Sequence, residues 1–333
     1  MSTALIRSII KSLSAVCLVA AASLTVCAQQ PKATPTPLPQ DPSAIRIPVR
    51  RVRLPITVQD KKGGFVPGLT QNDFVILEDK VPQVIETFSD DISGLPLYVA
   101  VLMDTSPSTA GKLKFQQESA MNFIQTVVKV RKDRVLFGTF DDQVTLLQDF
   151  TERLDLLDKA VYGVKKMGKQ TALFDAVWEF CDQKMRSVPG RRVLLLITDG
   201  EDTYSRASIR DAIDIAQRTE TTIFAISTKA GFLSTVPGVE AGQVADKKDR
   251  DLQTLAEETG GSAFFTGDML SLERSFTRIS RELRAQYLVT YNPTNKTYDG
   301  TFREIDVKMA KGRGDLRVKT KKGYKAIADS VMP

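Results

Sequence analysis

Asp104, Ser106 and Ser108 crowd into the stretch Val101-Leu-Met-Asp-Thr-Ser-Pro-Ser-Thr109, directly after the apolar run Leu97–Met103. Three oxygen donors therefore leave the carboxyl end of a buried strand together. Two further oxygens stand in comparable places. Thr171 lies in Gln170-Thr-Ala-Leu-Phe-Asp175, and Asp199 closes the apolar run of Leu194-Leu-Leu-Ile-Thr-Asp-Gly200. Hydroxyl and carboxylate oxygens are hard ligands and suit a hard divalent cation such as magnesium. Three hydroxyls with two carboxylates balance a divalent charge without over-neutralising it, so the ion stays electrophilic enough to accept a carboxylate from outside. Only folding can bring the three segments together. Taken singly, each has a plain alternative: Asp-Thr-Ser-Pro as a strand-to-helix turn, Thr171 as a helix N-cap, Thr-Asp-Gly as a common turn.

The elements that must position these residues alternate between strand and helix. Strand patterns fall at Leu97–Met103, Arg134–Phe140, Val144–Phe150, Val193–Thr198, Thr222–Ser227 and Ala263–Thr266. Helical spacing falls at Leu113–Val130, Leu154–Val164, Ala172–Arg186, Ile209–Thr219, Leu252–Thr259 and Leu270–Arg284. Continuous apolar strands interleaved with helices predict an α/β fold, a doubly wound, mostly parallel sheet covered on both faces. Ligands of such sheets bind beyond the carboxyl ends of the strands, where Asp104 and Asp199 both lie.

On either side the rhythm is β alone. Arg51–Val58 alternates, and Pro55 assigns it to an edge; Phe74–Leu77 and Val84–Phe88 are two more short strands. Tyr287–Tyr291, Phe302–Met309 and Leu316–Thr320 close the chain. Three strands alone make a poor domain. Residues 45–92 and 286–325 are therefore expected to pack into one small flanking β domain, with 95–285 inserted between them.

The first 28 residues read as an export signal. Arg7 and Lys11 precede the apolar stretch Leu13–Val26, and Val26-Cys27-Ala28 offers a small residue at the cut. The expected product is secreted or periplasmic, with no membrane span in the mature chain; an uncleaved amino-terminal anchor is the alternative. Residues 29–44, rich in proline, read as an extended linker. The net charge of +6 becomes +4 when Arg7 and Lys11 are subtracted, too mild to call for nucleic acid. The chain has no histidine, which removes Ser-His-Asp and Cys-His nucleophile pairs and histidine-bound zinc or haem. Cys181, alone in the mature chain, sits in a helical pattern as a buried small hydrophobe.

Asp-x-Ser-x-Ser at 104–108, the distant Thr171 and Thr198-Asp-Gly200 together resemble the metal-ion-dependent adhesion site of von Willebrand factor type A domains. The resemblance covers about residues 95–285. The flanking stretches, including Leu69-Thr-Gln-Asn-Asp-Phe74 and Gln286-Tyr-Leu-Val-Thr-Tyr-Asn-Pro293, resemble those of bacterial secreted proteins built around a VWFA-related domain. The resemblance implies that Ser106, Ser108 and Thr171 coordinate the ion directly or through water. Asp104 and Asp199 would then supply negative charge, partly through bridging waters. It further implies magnesium, with manganese or calcium as substitutes, and a protein ligand whose Asp or Glu completes the metal shell.

Other signals carry less. Met103-Asp-Thr-Ser106 is similar to the aspartic protease loop, but no second such loop exists. Arg313-Gly-Asp315 reads as a hairpin turn, and the basic stretch Lys308–Lys325 as a solvated strand face. Phe115, Phe123, Trp178 and Phe180 are expected in the core. The aperiodic loop Lys229–Lys248 is expected to help set partner choice. The leading expectation is an extracytoplasmic binding module without enzymatic activity. A metal-stabilised envelope scaffold is the alternative, and a metal-assisted hydrolase ranks third.

Overall fold

The computed structural model describes residues 51–90, 94–129, 131–165, 167–229, 246–265, 269–310 and 315–327, all within a compact unit spanning Pro48–Pro333. The export segment, the proline-rich linker, positions 311–314 of the basic stretch and most of the loop 229–248 lie outside the described residues. Among the described residues no helix is long and apolar enough to cross a membrane.

Four short strands come first: β1 (Val52–Gln59), β2 (Phe74–Glu78), β3 (Val81–Gln83) and β4 (Ile85–Ser89). The α/β part follows as β5 (Leu97–Asp104), α1 (Leu113–Val127), β6 (Arg134–Phe140), β7 (Val144–Thr151), α2 (Leu154–Tyr162) and α3 (Leu173–Glu179). It continues with β8 (Arg191–Thr198), α4 (Ile209–Arg218), β9 (Thr221–Ser227), α5 (Lys247–Glu258), β10 (Ala263–Phe264) and α6 (Met269–Arg284). The last strands are β11 (Tyr287–Tyr291), β12 (Phe302–Met309), β13 (Arg317–Lys319) and β14 (Gly323–Lys325).

The central sheet has six strands in the order β10-β9-β8-β5-β6-β7. All neighbours run parallel except β7, which returns antiparallel to β6. Side chains alternate faces along a strand, and each face has its own core. Val99, Val101 and Met103 of β5 pack with Phe123 of α1, Leu157 of α2 and Phe276 of α6. Ala100 and Leu102 pack with Val177 of α3, Ile215 of α4 and Leu255 of α5. This is the doubly wound arrangement expected from the apolar runs. β5 occupies the middle, buried on both faces, which fixes the position of its last residue, Asp104.

The outer strands form two four-stranded antiparallel sheets, β13-β1-β11-β4 and β14-β12-β2-β3, which share one apolar core. Pro55 is not on an edge strand, because β1 lies between β11 and β13. Yet β13 pairs only with Thr57–Gln59, so at Pro55 that side has no strand partner, its carbonyl accepts from Thr320 Oγ1 at 2.9 Å instead, and the missing N–H breaks no ladder. Trp178 departs from expectation more plainly and is 42% exposed. Leu173, Ala176, Val177 and Phe180 form the buried stripe of its helix, and Trp178 falls outside that stripe. Asp246 opens α5: its carboxylate accepts the N–H of Asp249 at 3.0 Å as an N-cap. Cys181 is buried, and burial pushes its thiol up to about 12, leaving it unreactive at neutral pH.

A buried carboxylate staples the two outer sheets. Glu78 on β2 accepts hydrogen bonds from Tyr291 Oη at 2.7 Å and Tyr324 Oη at 2.9 Å, with Tyr291 coming from the opposite sheet. Tyr291→Phe removes one donor to a buried acid and should lower unfolding stability by about 1–3 kcal/mol. Urea unfolding of the variant checks this. A change within the error of the wild-type curve would mean that the staple contributes nothing.

Candidate metal centre

Asp104 is the last residue of β5, and Thr198 is the last residue of the neighbouring parallel strand β8. The register, which pairs Met103 with Ile197, brings the two together. Thr198 Oγ1 donates to Asp104 Oδ2 at 2.6 Å, and the Ser106 N–H donates to Asp104 Oδ1 at 2.8 Å. The carboxylate is thereby held in one orientation beneath the loop that follows. Thr109 locks the loop from behind: its hydroxyl donates to the carbonyls of Asp104 and Ser106 at 3.1 and 2.8 Å. Gln116 adds a second donor to the Asp104 carbonyl at 2.9 Å. With its backbone closed in this way, the loop presents Ser106 Oγ and Ser108 Oγ side by side, 3.2 Å apart.

Asp199 follows Thr198 directly. Gly200, with φ of +78°, lets the chain turn sharply after it. The Glu201 N–H donates to Asp199 Oδ1 at 3.0 Å. Thr171 arrives on a separate loop, which is laced to the others through backbone bonds. The N–H of Gly168 reaches the carbonyl of Thr105 at 2.9 Å, and that of Ala172 reaches Asp141 O at 2.8 Å. The Thr171 carbonyl accepts from the N–H groups of Thr203 and Tyr204, both at 2.9 Å. Gly168 is required by close approach, since a Cβ there would lie 2.2 Å from Asp141 Cγ.

Thr171 is not the cap of the helix that follows. Asp202 takes that role from a distance, accepting the N–H of Leu173 at 2.9 Å, while Ser205 Oγ accepts those of Phe174 and Asp175. The Thr171 hydroxyl is thus left without a hydrogen-bond partner among the described residues. Asp202 itself is half-buried, and desolvation raises its carboxyl above the usual carboxylate range. Glu201 pairs instead with Lys248 at 2.9 Å. The supporting side chains Thr198, Thr109, Gln116 and Thr105 were not singled out from the sequence. Thr198 alone had a signal, as the residue before Asp199.

Asp104, Ser106, Thr171 and Asp199 are all buried, whereas Ser108 is exposed and marks the side from which solvent reaches the group. The electrostatics call for a cation. Neither Asp104 nor Asp199 has an ion-pair partner among the described residues. Burial raises the Asp104 carboxyl from its ordinary value to about 6, against the opposing pull of the Ser106 and Thr198 hydrogen bonds, and the nearby Asp199 charge raises it further. No group of three His, Cys, Asp or Glu side chains able to hold a metal exists among the described residues, so an ion here would need other oxygens as well, and the hydroxyls are of a type that can supply them. Two buried carboxylates with hydroxyls at the rim fit a hard divalent ion with open positions for water.

The von Willebrand factor type A domain profile matches residues 99–278, more than half of the chain. No curated protein matches the sequence. Among solved structures, an aerotolerance-related membrane protein from Bacteroides fragilis NCTC 9343 is similar at 13% identity. The match covers 56% of this chain and 98% of that one, with a TM-score of 0.44. The PilB minor pilin from Streptococcus sanguinis matches at 13% identity over 58% of this chain and 62% of its own, with a TM-score of 0.42. Proximal thread matrix protein 1 from the mussel byssus, solved with a zinc-occupied MIDAS motif, matches at 16% identity. There the coverage is 62% of this chain and 49% of that one, with a TM-score of 0.45.

A proton and a cation compete for the Asp104 carboxylate, so its raised pKa sets a pH window. Above about 6 the group is ionised and metal affinity is at its plateau. As pH falls through that value the proton wins, and affinity at pH 5 should be roughly tenfold weaker than at pH 7. Calorimetric titration of magnesium at the two pH values checks this; equal affinities would remove Asp104 from the site.

Proposed function

We propose that this chain, which belongs to the von Willebrand factor type A domain family, is an extracytoplasmic binding module that captures an acidic side chain of a protein partner at a metal site. One observation carries the reading: two buried carboxylates, Asp104 and Asp199, without a countercharge among the described residues, stand at the carboxyl edge of a parallel sheet beside the paired hydroxyls of Ser106 and Ser108, and Ser108 opens the group to solvent.

A bound divalent ion supplies an electrophilic centre to which an incoming carboxylate can coordinate. The protein's own residues do the rest. Asp104 and Asp199 provide negative charge from below, and Asp104 is fixed by Thr198 and the Ser106 N–H. Ser106, Ser108 and Thr171 offer neutral oxygens, which leave the ion with net positive charge for an anionic ligand. Magnesium is the favoured ion, with manganese or calcium as substitutes.

The device is one of recognition rather than catalysis in this reading. A chain without histidine offers no imidazole base, and the buried Cys181 thiol is held near 12. Location outside the cytoplasm rests on the sequence, where Arg7 and Lys11 lead the apolar stretch Leu13–Val26 and Ala28 offers a cut.

The test is capture from a cell-envelope extract by the immobilised chain, with magnesium, with EDTA, and with Asp104→Ala. A partner retained with magnesium and lost in both other arms is the expected result. A partner held equally in EDTA would contradict the reading, as would one held equally by the variant.

A further inference from the structure

A groove opens one residue from the proposed metal ligands. Thr105, set between Asp104 and Ser106, lines a cavity of about 810 Å³ that runs between β7 and α2. Leu147 on β7, with Leu156, Ala160 and Val164, supplies its apolar wall. β7 is an edge strand of the central sheet, and Leu147 is 43% exposed, so this wall is open to a partner. Lys159 and Lys165 stand in the same lining; both are exposed, and neither has an ion-pair partner among the described residues. The acid in the lining, Asp141, is already engaged: it accepts from Thr105 Oγ1 at 2.9 Å and from the Gln143 N–H at 3.0 Å.

We infer that this groove is the specificity subsite of the metal site, and that it takes an extended acidic protein segment. One carboxylate of the segment would sit at the ion, an apolar side chain would lie against Leu147 and Leu156, and a second acid would reach Lys159 and Lys165. Charge complementarity selects the occupant: two unpaired lysines on the groove and a cation at its end both favour an anionic chain. The apolar wall favours a peptide over an acidic polysaccharide, which has no side chain to bury there. The inference rests on the metal-dependent reading above and adds to it the character of the partner segment.

The probe is an array of capped hexapeptides with one fixed Asp, whose remaining positions are Leu, Glu, Ser or Lys. Binding to the full chain is read with magnesium and with EDTA, and magnesium binding is followed in parallel by calorimetry. Peptides with Leu beside the fixed Asp and Glu beyond it should bind about tenfold more tightly than those with Lys at that place. The double variant Lys159→Glu, Lys165→Glu should reverse that order. Leu147→Ser should remove the preference for Leu while leaving the preference for Glu. A wild-type preference unmoved by these variants would overturn the groove and leave the metal reading intact. So would metal-dependent binding without any preference, no peptide binding by a chain that takes up magnesium, or better binding of polygalacturonate than of any peptide. Failure to bind magnesium would instead overturn the reading beneath it.

Discussion

Two buried carboxylates, Asp104 and Asp199, without a countercharge among the described residues are the constraint around which the carboxyl edge of the central sheet is organised. Removing an ion from water costs several kcal/mol unless opposite charge or hydrogen bonds replace the hydration. At Asp104 the protein supplies two hydrogen bonds, from Thr198 and from the Ser106 N–H, yet burial still leaves the group titrating near 6. At Asp199 it supplies the Glu201 N–H. No lysine or arginine among the described residues comes to either acid, although the chain carries many. Among the described residues the pair therefore remains a negative centre without a countercharge, which fits a cation.

The rest of the fold can be understood as what keeps that centre in place. Parallel pairing of β5 with β8 sets Asp104 and Thr198 at the same height, and packing on both faces leaves β5 no freedom to slide. The loops beyond the strands are closed largely by backbone bonds and by side chains outside the five candidates. Thr109 and Gln116 satisfy the carbonyl of Asp104, and Thr203 and Tyr204 satisfy that of Thr171. Asp202 and Ser205 cap α3. With α3 capped from elsewhere, the Thr171 hydroxyl keeps no hydrogen-bond partner among the described residues. Division of labour between structural and ligand-facing groups is what separates a binding site from a polar turn.

Much of this was legible because its signals are local. Seven consecutive apolar residues before Asp104 and five before Thr198 mark buried parallel strands, and the acids at their ends fall on one edge by topology alone. The candidate oxygens follow from type and position in the same way. What was not legible depends on contacts across the chain. Asp202 caps a helix that begins some thirty residues earlier in sequence, so the alternative that Thr171 was itself the cap stayed open. The need for glycine at 168 comes from Asp141, on another loop. Pro55 marked an edge, but the local absence of a partner on one side of an interior strand depends on how far β13 extends. Trp178 followed the aromatic rule and broke it, because the buried stripe of α3 passes through Val177 instead. The groove between β7 and α2 has no sequence signature, since its wall joins residues of two elements that are each amphipathic in their own right.

The central claim is geometric, and crystals of the chain soaked in manganese test it most directly through the ion's anomalous signal. The account predicts one strong peak at the carboxyl edge of the central sheet, with Ser106 Oγ and Ser108 Oγ at about 2.0–2.3 Å and Asp104, Thr171 and Asp199 around it directly or through one water. A peak elsewhere, or none at this edge under conditions where the ion saturates the protein in solution, would contradict it.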